Sequence, residues 1–127
     1  MRYQVNKTLI LVFLSVLIGT IGQLCIKAAM VKLGPVAFSS PIEILNSGWQ
    51  IIRQPLIWIA LPLYGVGFVI WAAALSRLPL SFAYPLLAVG YLINPLAAMI
   101  LFSESISPIR WMGIGVIILG IILVGRS

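Results

Sequence analysis

The chain alternates long apolar stretches with short polar breaks. Apolar stretches cover residues 8–30, 55–76, 81–102 and 108–124. Each falls within or close to the roughly 17 to 25 residues that a helix needs to cross a hydrocarbon core about 30 Å thick. The breaks between them contain Gly-Pro, Ser-Pro and Leu-Pro pairs, which favour turns and helix starts. The pattern therefore predicts an all-α integral membrane protein with four spanning helices.

The break before the second stretch contains a further, shorter helix. Ser40, Pro41 and Glu43 match a capped helix start, with the cap, first and third positions filled as helices prefer. Apolar residues then recur on one face, and polar residues occupy the other. This segment, about residues 41–53, is too short to span a bilayer. We therefore predict an amphipathic helix that lies in the membrane interface, between spanning helices one and two.

The third stretch has a composition that a simple membrane anchor does not need. It carries Tyr84, Pro85, Tyr91, Asn94 and Pro95 within an uncharged run. Each proline removes one helical hydrogen bond and frees a carbonyl one turn earlier, which must find a partner in lipid. This helix should therefore face other helices or a cavity. Two interpretations stay open: a kinked packing helix, or the wall of a substrate path in which Pro85 and Pro95 act as hinges.

The first stretch contains a polar stripe that ends in a charge. Thr20, Gln23 and Lys27 recur at the spacing of one helix face. A lysine within a spanning helix costs a few kcal/mol near the bilayer centre and less where its stem reaches the interface. Lys27 either extends to the headgroups or faces a cavity that takes an anionic substrate.

Small residues form two further stripes that would let helices approach closely. Ser15, Gly19 and Gly22 lie on one face of the first stretch. Gly113 and Gly120 lie seven residues apart in the fourth stretch. The second pair predicts a helix-association surface, facing a second copy or a similar chain.

Composition narrows the possible functions. The chain has 127 residues, of which 62% are hydrophobic and 8% charged. A soluble domain of this size is mostly surface and could not bury so much apolar area. The net charge of +6 comes from single basic residues at segment ends, which favours headgroup contacts over nucleic acid. With two carboxylates, no histidine and one cysteine, we expect no metal site, cofactor or hydrolytic triad.

The basic residues do not fix an orientation in the membrane. Four positive charges fall on each predicted side, so the positive-inside rule gives no preference. The side of the termini has Arg2, Lys7, Arg77 and Arg126, and the other side has Lys27, Lys32, Arg53 and Arg110. Such balance would allow insertion both ways and an antiparallel dimer. Glu104, at the end of the third stretch, either caps that helix or pairs with Arg110, or else carries protons or cations.

Several local motifs resemble those of a known transporter family. One is Trp71, a turn with Pro79, and Ala-Tyr at positions 83–84; another is the run over 105–124. Both are similar to the drug/metabolite transporter superfamily and its four-helix small multidrug resistance branch. The run 22–28, Gly-Gln-Leu-Cys-Ile-Lys-Ala, resembles more specifically the small subunits of the 4-amino-4-deoxy-L-arabinose-phosphoundecaprenol flippase. The likeness is good for stretches one, three and four.

One position separates the chain from the multidrug exporters of that branch. They carry a glutamate in the middle of helix one, shared by protons and cationic drugs. With Lys27 placed on their basic position, Gly19 stands where that glutamate would be. Because a buried carboxylate is what attracts a lipophilic cation, its absence disfavours cation export, and a lysine suits an anionic ligand better.

The resemblance and the polar stripes together predict a flippase for a polyprenyl-phosphate-linked sugar in the bacterial inner membrane. Lys27 would contact the phosphate, with Arg77 or Arg110 as a second contact. Hydrogen bonds to the sugar would come from Thr20, Gln23, Tyr84, Tyr91 and Asn94. Four helices enclose little space, so we expect a homodimer or a heterodimer with a similar chain. The alternatives are an exporter of cationic or small polar solutes that depends on Glu104, and an accessory subunit that transports nothing.

Overall fold

The computed structural model describes residues 2–127, with side chains from Val5 onward. In this part of the chain all regular structure is helical. The helices are α1 (Arg2–Leu33), α2 (Pro41–Ile52), α3 (Pro55–Leu75), α4 (Leu80–Leu86), a single 3₁₀ turn (Leu87–Val89), α5 (Gly90–Phe102) and α6 (Pro108–Arg126).

Four helical stretches within residues 2–127 are long and apolar enough to cross a membrane, as predicted. They are Val5–Leu33, Pro55–Leu75, Leu80–Phe102 and Pro108–Arg126. The third is made of α4, the 3₁₀ turn and α5. The first is longer than predicted at both ends, because α1 has 32 residues. A helix of that length rises about 48 Å, so it must tilt or extend beyond a hydrocarbon core of about 30 Å.

The short helix between the first two spans is confirmed and begins as predicted. The backbone N–H of Glu43 donates to Ser40 Oγ at 3.3 Å, and the N–H of Ser39 donates to Glu43 Oε2 at 2.9 Å. These two bonds satisfy groups that a helix start leaves without partners. The large apolar side chains of the helix face outward rather than into the protein: Ile42, Leu45, Trp49 and Ile52.

The most extensive packing in the molecule joins α1 and α3. Gly22 of α1 lies under the ring of Tyr64, so close that a Cβ at Gly22 would stand 3.1 Å from Tyr64 Cε2. Gly67 of α3 in turn approaches the α1 backbone at Ser15. Because glycine has no side chain, Gly22 and Gly67 let these two antiparallel helices pack closely, as is common in membrane bundles.

Helix α6 is the least covered of the spanning helices. None of its side chains is buried. A Cβ at Gly113 or Gly120 would meet no atom within 4 Å. The surface that was predicted to associate with another helix is therefore uncovered in a single copy.

The Gly22 contact can be tested against a glycine that faces open space. Replacing Gly22 by valine forces the Tyr64 ring away, which should cost about 1–3 kcal/mol of stability. Gly65→Val changes the same residue type in a spanning helix, and its Cβ would meet no atom within 4 Å. Thermal unfolding in detergent should show a lower midpoint for Gly22→Val than for Gly65→Val. Equal midpoints would contradict this account of α1–α3 packing.

Candidate functional site

A polar groove of about 770 Å³ runs between α1 and the α4–α5 stretch. Its walls combine small residues, hydroxyl groups, amides and aromatic rings. From α1 come Ser15, Val16, Gly19, Thr20 and Gln23, and from the opposite wall Ser81, Tyr84, Pro85, Leu87, Ala88, Gly90, Tyr91 and Asn94. Every residue that lines the groove is uncharged, so its polar groups act through hydrogen bonds.

The two tyrosines stand on the exposed wall of the groove. Tyr84 and Tyr91 are each 61% exposed. The Tyr84 ring meets Trp71 of α3 edge-on, with centroids 6.2 Å apart and an interplanar angle of 67°. Such an edge-to-face contact holds a ring in a defined orientation. The groove is thus open along one side, with Tyr84 held by the neighbouring helix.

An amide pair crosses the groove at one end. Asn94 Nδ2 donates to Gln23 Oε1 at 2.6 Å, joining α5 to α1. Asn94 Oδ1 is buried and has no hydrogen-bond partner among the described residues. A buried acceptor without a donor is unfavourable by about 1–3 kcal/mol. This oxygen is therefore an unsatisfied acceptor within the groove wall.

Beyond the amide pair lies a smaller space of about 190 Å³, here called the end cavity. Gln23 and Asn94 line both spaces, so the end cavity continues the groove. Lys27 and Glu104 also line it. The change from neutral amides to charged groups occurs within one helical turn of α1.

Lys27 and Glu104 form an ion pair, with Nζ 2.8 Å from Oε1. Their side chains are 49% and 43% exposed. Ser103 ends α5 in the left-handed conformation, with φ 53°, and so turns the chain sharply before Glu104. The turn brings Glu104 to α1. The expected partner Arg110 is therefore replaced by Lys27.

Polar side chains of α1 follow the two spaces along the helix. Ser15, Thr20 and Gln23 line the groove, and Lys27 lines the end cavity. From the first to the last the helix rises about 18 Å, more than half of a bilayer core. The groove thus offers hydrogen-bonding groups over most of the apolar depth and a cation at one end.

The third span changes from α-helical to 3₁₀ geometry next to one of the two predicted hinges. α4 ends at Leu86, directly after Pro85, and one 3₁₀ turn follows before α5 begins at Gly90. Short 3₁₀ segments inside a helix often mark hinges, and proline removes the bond that would keep the helix regular. Pro95 lies inside α5, which continues past it without a break. Of the two predicted hinges, Pro85 is the one at a break.

The structure brings together most of the predicted contact residues. Those that line the groove are Thr20, Gln23, Tyr84, Tyr91 and Asn94. Lys27 lies in the adjoining end cavity. Arg77, in the turn after α3, and Arg110, in the first turn of α6, line neither space and are exposed. From Val5 onward, the chain thus offers neither space a second cationic contact.

Three of the groove residues outside that prediction are small: Ser15, Gly19 and Ser81. Ser15 and Gly19 belong to the stripe that was predicted to pack against another helix. Their small size leaves the volume that the groove occupies. Ser81 starts the opposite wall. The signal for all three was the four-residue spacing of small residues next to polar ones, which packing and cavity-lining share.

Comparison with known proteins identifies the family to which the chain belongs. The family model of the Small Multidrug Resistance protein matches residues 48–117. A flippase subunit of Serratia proteamaculans is 37% identical over 116 residues, which cover 90% of this chain and 91% of the relative. A Pseudomonas aeruginosa relative is 34% identical over 103 residues (77% and 90%), and one from Aeromonas hydrophila 38% over 77 residues (61% and 68%).

These three relatives carry the same name: probable 4-amino-4-deoxy-L-arabinose-phosphoundecaprenol flippase subunit ArnE. No solved structure matches the chain. The four spans and the bacterial relatives make this a multi-pass protein of the bacterial inner membrane. By its family-model match and by the near-full-length similarity to the Serratia relative, the chain belongs to the small multidrug resistance protein family.

Proposed function

We propose that this protein is a non-enzymatic subunit of a flippase that moves a polyprenyl-phosphate-linked sugar across the inner membrane. The prenyl tail stays in lipid while the headgroup follows the polar groove. The names of the relatives support this substrate class, because they are called flippase subunits for a sugar joined through phosphate to undecaprenol. The arrangement of the groove supports the same path independently.

The observation that carries the proposal is how the surroundings of α1 change from the groove to the end cavity. An uncharged groove with hydroxyl and amide groups leads to an end cavity that contains Lys27. Moving a sugar hydroxyl into hydrocarbon without a hydrogen-bond partner costs several kcal/mol of free energy. Hydrogen-bonding groups over about 18 Å of helix reduce that cost, and a lysine at the end suits the phosphate.

The protein assembles as a dimer in this proposal, either with itself or with a similar four-helix chain. The groove is open on one side in a single copy, where Tyr84 and Tyr91 are exposed. A second copy can enclose it. Helix α6 supplies a surface for assembly, because it has no buried side chain and its glycines face open space.

A cation exporter is less well supported by the site. Such an exporter needs a free carboxylate to attract a cation. The chain has two acidic residues, Glu43 and Glu104. Glu43 accepts a bond at the start of α2, and Glu104 is neutralised by Lys27. Gly19, at the position of the exporters' glutamate, lies in the groove wall and leaves it neutral.

The role of Lys27 can be measured in reconstituted vesicles. Lys27→Met removes the charge and shortens the unbranched side chain by one atom. We expect headgroup translocation to fall by about tenfold to a hundredfold, the value of a lost hydrogen bond to a charged group. A membrane-impermeant reagent for the headgroup amine can follow translocation, using a short-chain prenyl phosphate that carries 4-amino-4-deoxy-L-arabinose.

The matched control is Lys32→Met, in the last turn of α1 and outside both spaces. It should translocate at the unmodified rate. Full activity in Lys27→Met would remove the phosphate contact from the proposal, whereas equal losses in both variants would point to a general effect of surface charge.

The break after Pro85 should be needed for movement of the third span. Pro85→Ala restores the missing backbone donor and favours a continuous helix. We expect slower translocation with unchanged or higher thermal stability, because a straighter helix is easier to form and harder to bend. Pro62→Ala, within α3, is the matched proline control and should leave the rate unchanged. A rate loss that follows stability in both variants would contradict a hinge role.

The association surface on α6 can be tested by adding bulk to it. Gly113→Leu with Gly120→Leu fills the space through which another helix would approach. We expect a shift from dimer to monomer in cross-linking and a matching loss of translocation. Gly125→Leu, near the end of α6 and also facing open space, serves as control. A dimer that persists in the double variant would place the interface elsewhere.

A further inference from the structure

The Lys27–Glu104 ion pair raises a difficulty for a simple phosphate site. Among the side chains that the structure describes, Lys27 is the only cation that lines either space, and Glu104 already holds it at 2.8 Å. A phosphate that binds Lys27 must displace the carboxylate. Glu104 would then face a second negative group at the end of the bundle, with no other cation lining the end cavity.

A headgroup with only negative charge therefore binds poorly here. It gains Lys27 but leaves Glu104 without a partner beside the phosphate, and like charges at short distance repel. A headgroup that also carries an ammonium avoids this. Its phosphate takes Lys27, its ammonium takes the released carboxylate, and the charge of the end cavity stays balanced throughout.

The orphaned acceptor next to the pair fits the same ligand. Asn94 Oδ1 is buried, has no donor among the described residues and belongs to a side chain that lines both spaces. An ammonium has three donors. One can reach Glu104 while another reaches Asn94 or a sugar-facing group of the groove. Lys27 supplies a donor for the phosphate, so each charged group of the headgroup meets a side chain of opposite charge.

We propose that Lys27 and Glu104 form an exchangeable ion pair that opens to bind a zwitterionic headgroup, phosphate on Lys27 and ammonium on Glu104. The inference rests on the proposed function and adds the charge class of its substrate. It also assigns Glu104 a role in specificity: the carboxylate rejects polyprenyl-phosphate sugars that lack an amine. In the absence of substrate the pair keeps both charges neutralised at the edge of the hydrocarbon.

The test compares two lipids on the full chain, purified with any partner subunit that it retains. One probe is a short-chain prenyl phosphate that carries 4-amino-4-deoxy-L-arabinose, and the other carries L-arabinose. Binding is measured for the unmodified protein, Glu104→Gln and the control Glu43→Gln, which changes the other acidic residue of the chain. Size-exclusion profiles confirm that each variant is folded.

The unmodified protein and Glu43→Gln should prefer the amino lipid by about tenfold or more, the scale of one charge-assisted bond. In Glu104→Gln the ratio should fall close to one, mainly because the arabinose lipid binds more tightly once Lys27 is free. If Glu104→Gln keeps the preference while both lipids still bind, the inference is wrong and the proposed function stands. If the unmodified protein binds neither lipid, the proposed function itself fails.

A charge exchange separates ligand binding from a structural role of the pair. Lys27→Glu combined with Glu104→Lys restores an ion pair between the same positions. If the pair only stabilises the fold, the double variant should bind the amino lipid as the unmodified protein does. If the charges contact the headgroup, binding should stay weak, because the anchored phosphate then meets a carboxylate on α1. Recovery of affinity would overturn the inference.

Discussion

Polar atoms within a bilayer have no water to bind, and this constraint explains the arrangement of the groove. Each hydroxyl or amide in the spans must be satisfied by the protein or face a cavity. Gln23 and Asn94 satisfy one bond between them, at 2.6 Å, and Asn94 Oδ1 stays without a partner. The charged pair lies at the end of the line, about two turns before α1 ends. Neutral groups thus line the groove, and the charges are confined to the end cavity.

The same constraint bears on the third span. A regular helix satisfies its own backbone hydrogen bonds. Pro85 removes one donor, and the backbone tightens into a single 3₁₀ turn while staying helical. Gly90 then packs near Val16 of α1, with a hypothetical Cβ 3.7 Å from Val16 Cγ1. Tyr84 and Tyr91 are seven residues apart, so they share one helix face and line one continuous groove.

The sequence was sufficient to predict the spans, the short helix and several residues that line the groove, and the reasons are physical. Apolar length predicts spans directly, and the cap at Ser40 and Glu43 is a local pattern that needs no tertiary information. Polar groups at Gln23, Tyr84 and Asn94 could be predicted to share a cavity because lipid excludes them from the outer surface. No comparable rule applies near the membrane edge, where charges are tolerated in several places.

The ion-pair partner of Glu104 could not be predicted from the sequence pattern. Arg110 is near in sequence and was the natural expectation, but the left-handed turn at Ser103 directs the chain toward α1 and Lys27. One backbone angle in a loop decides the pairing, and periodicity does not reveal it. The pairing also changes the interpretation of Lys27. A free lysine can bind any anion, whereas a lysine already held by a carboxylate must first lose that partner, which favours a ligand that satisfies both groups.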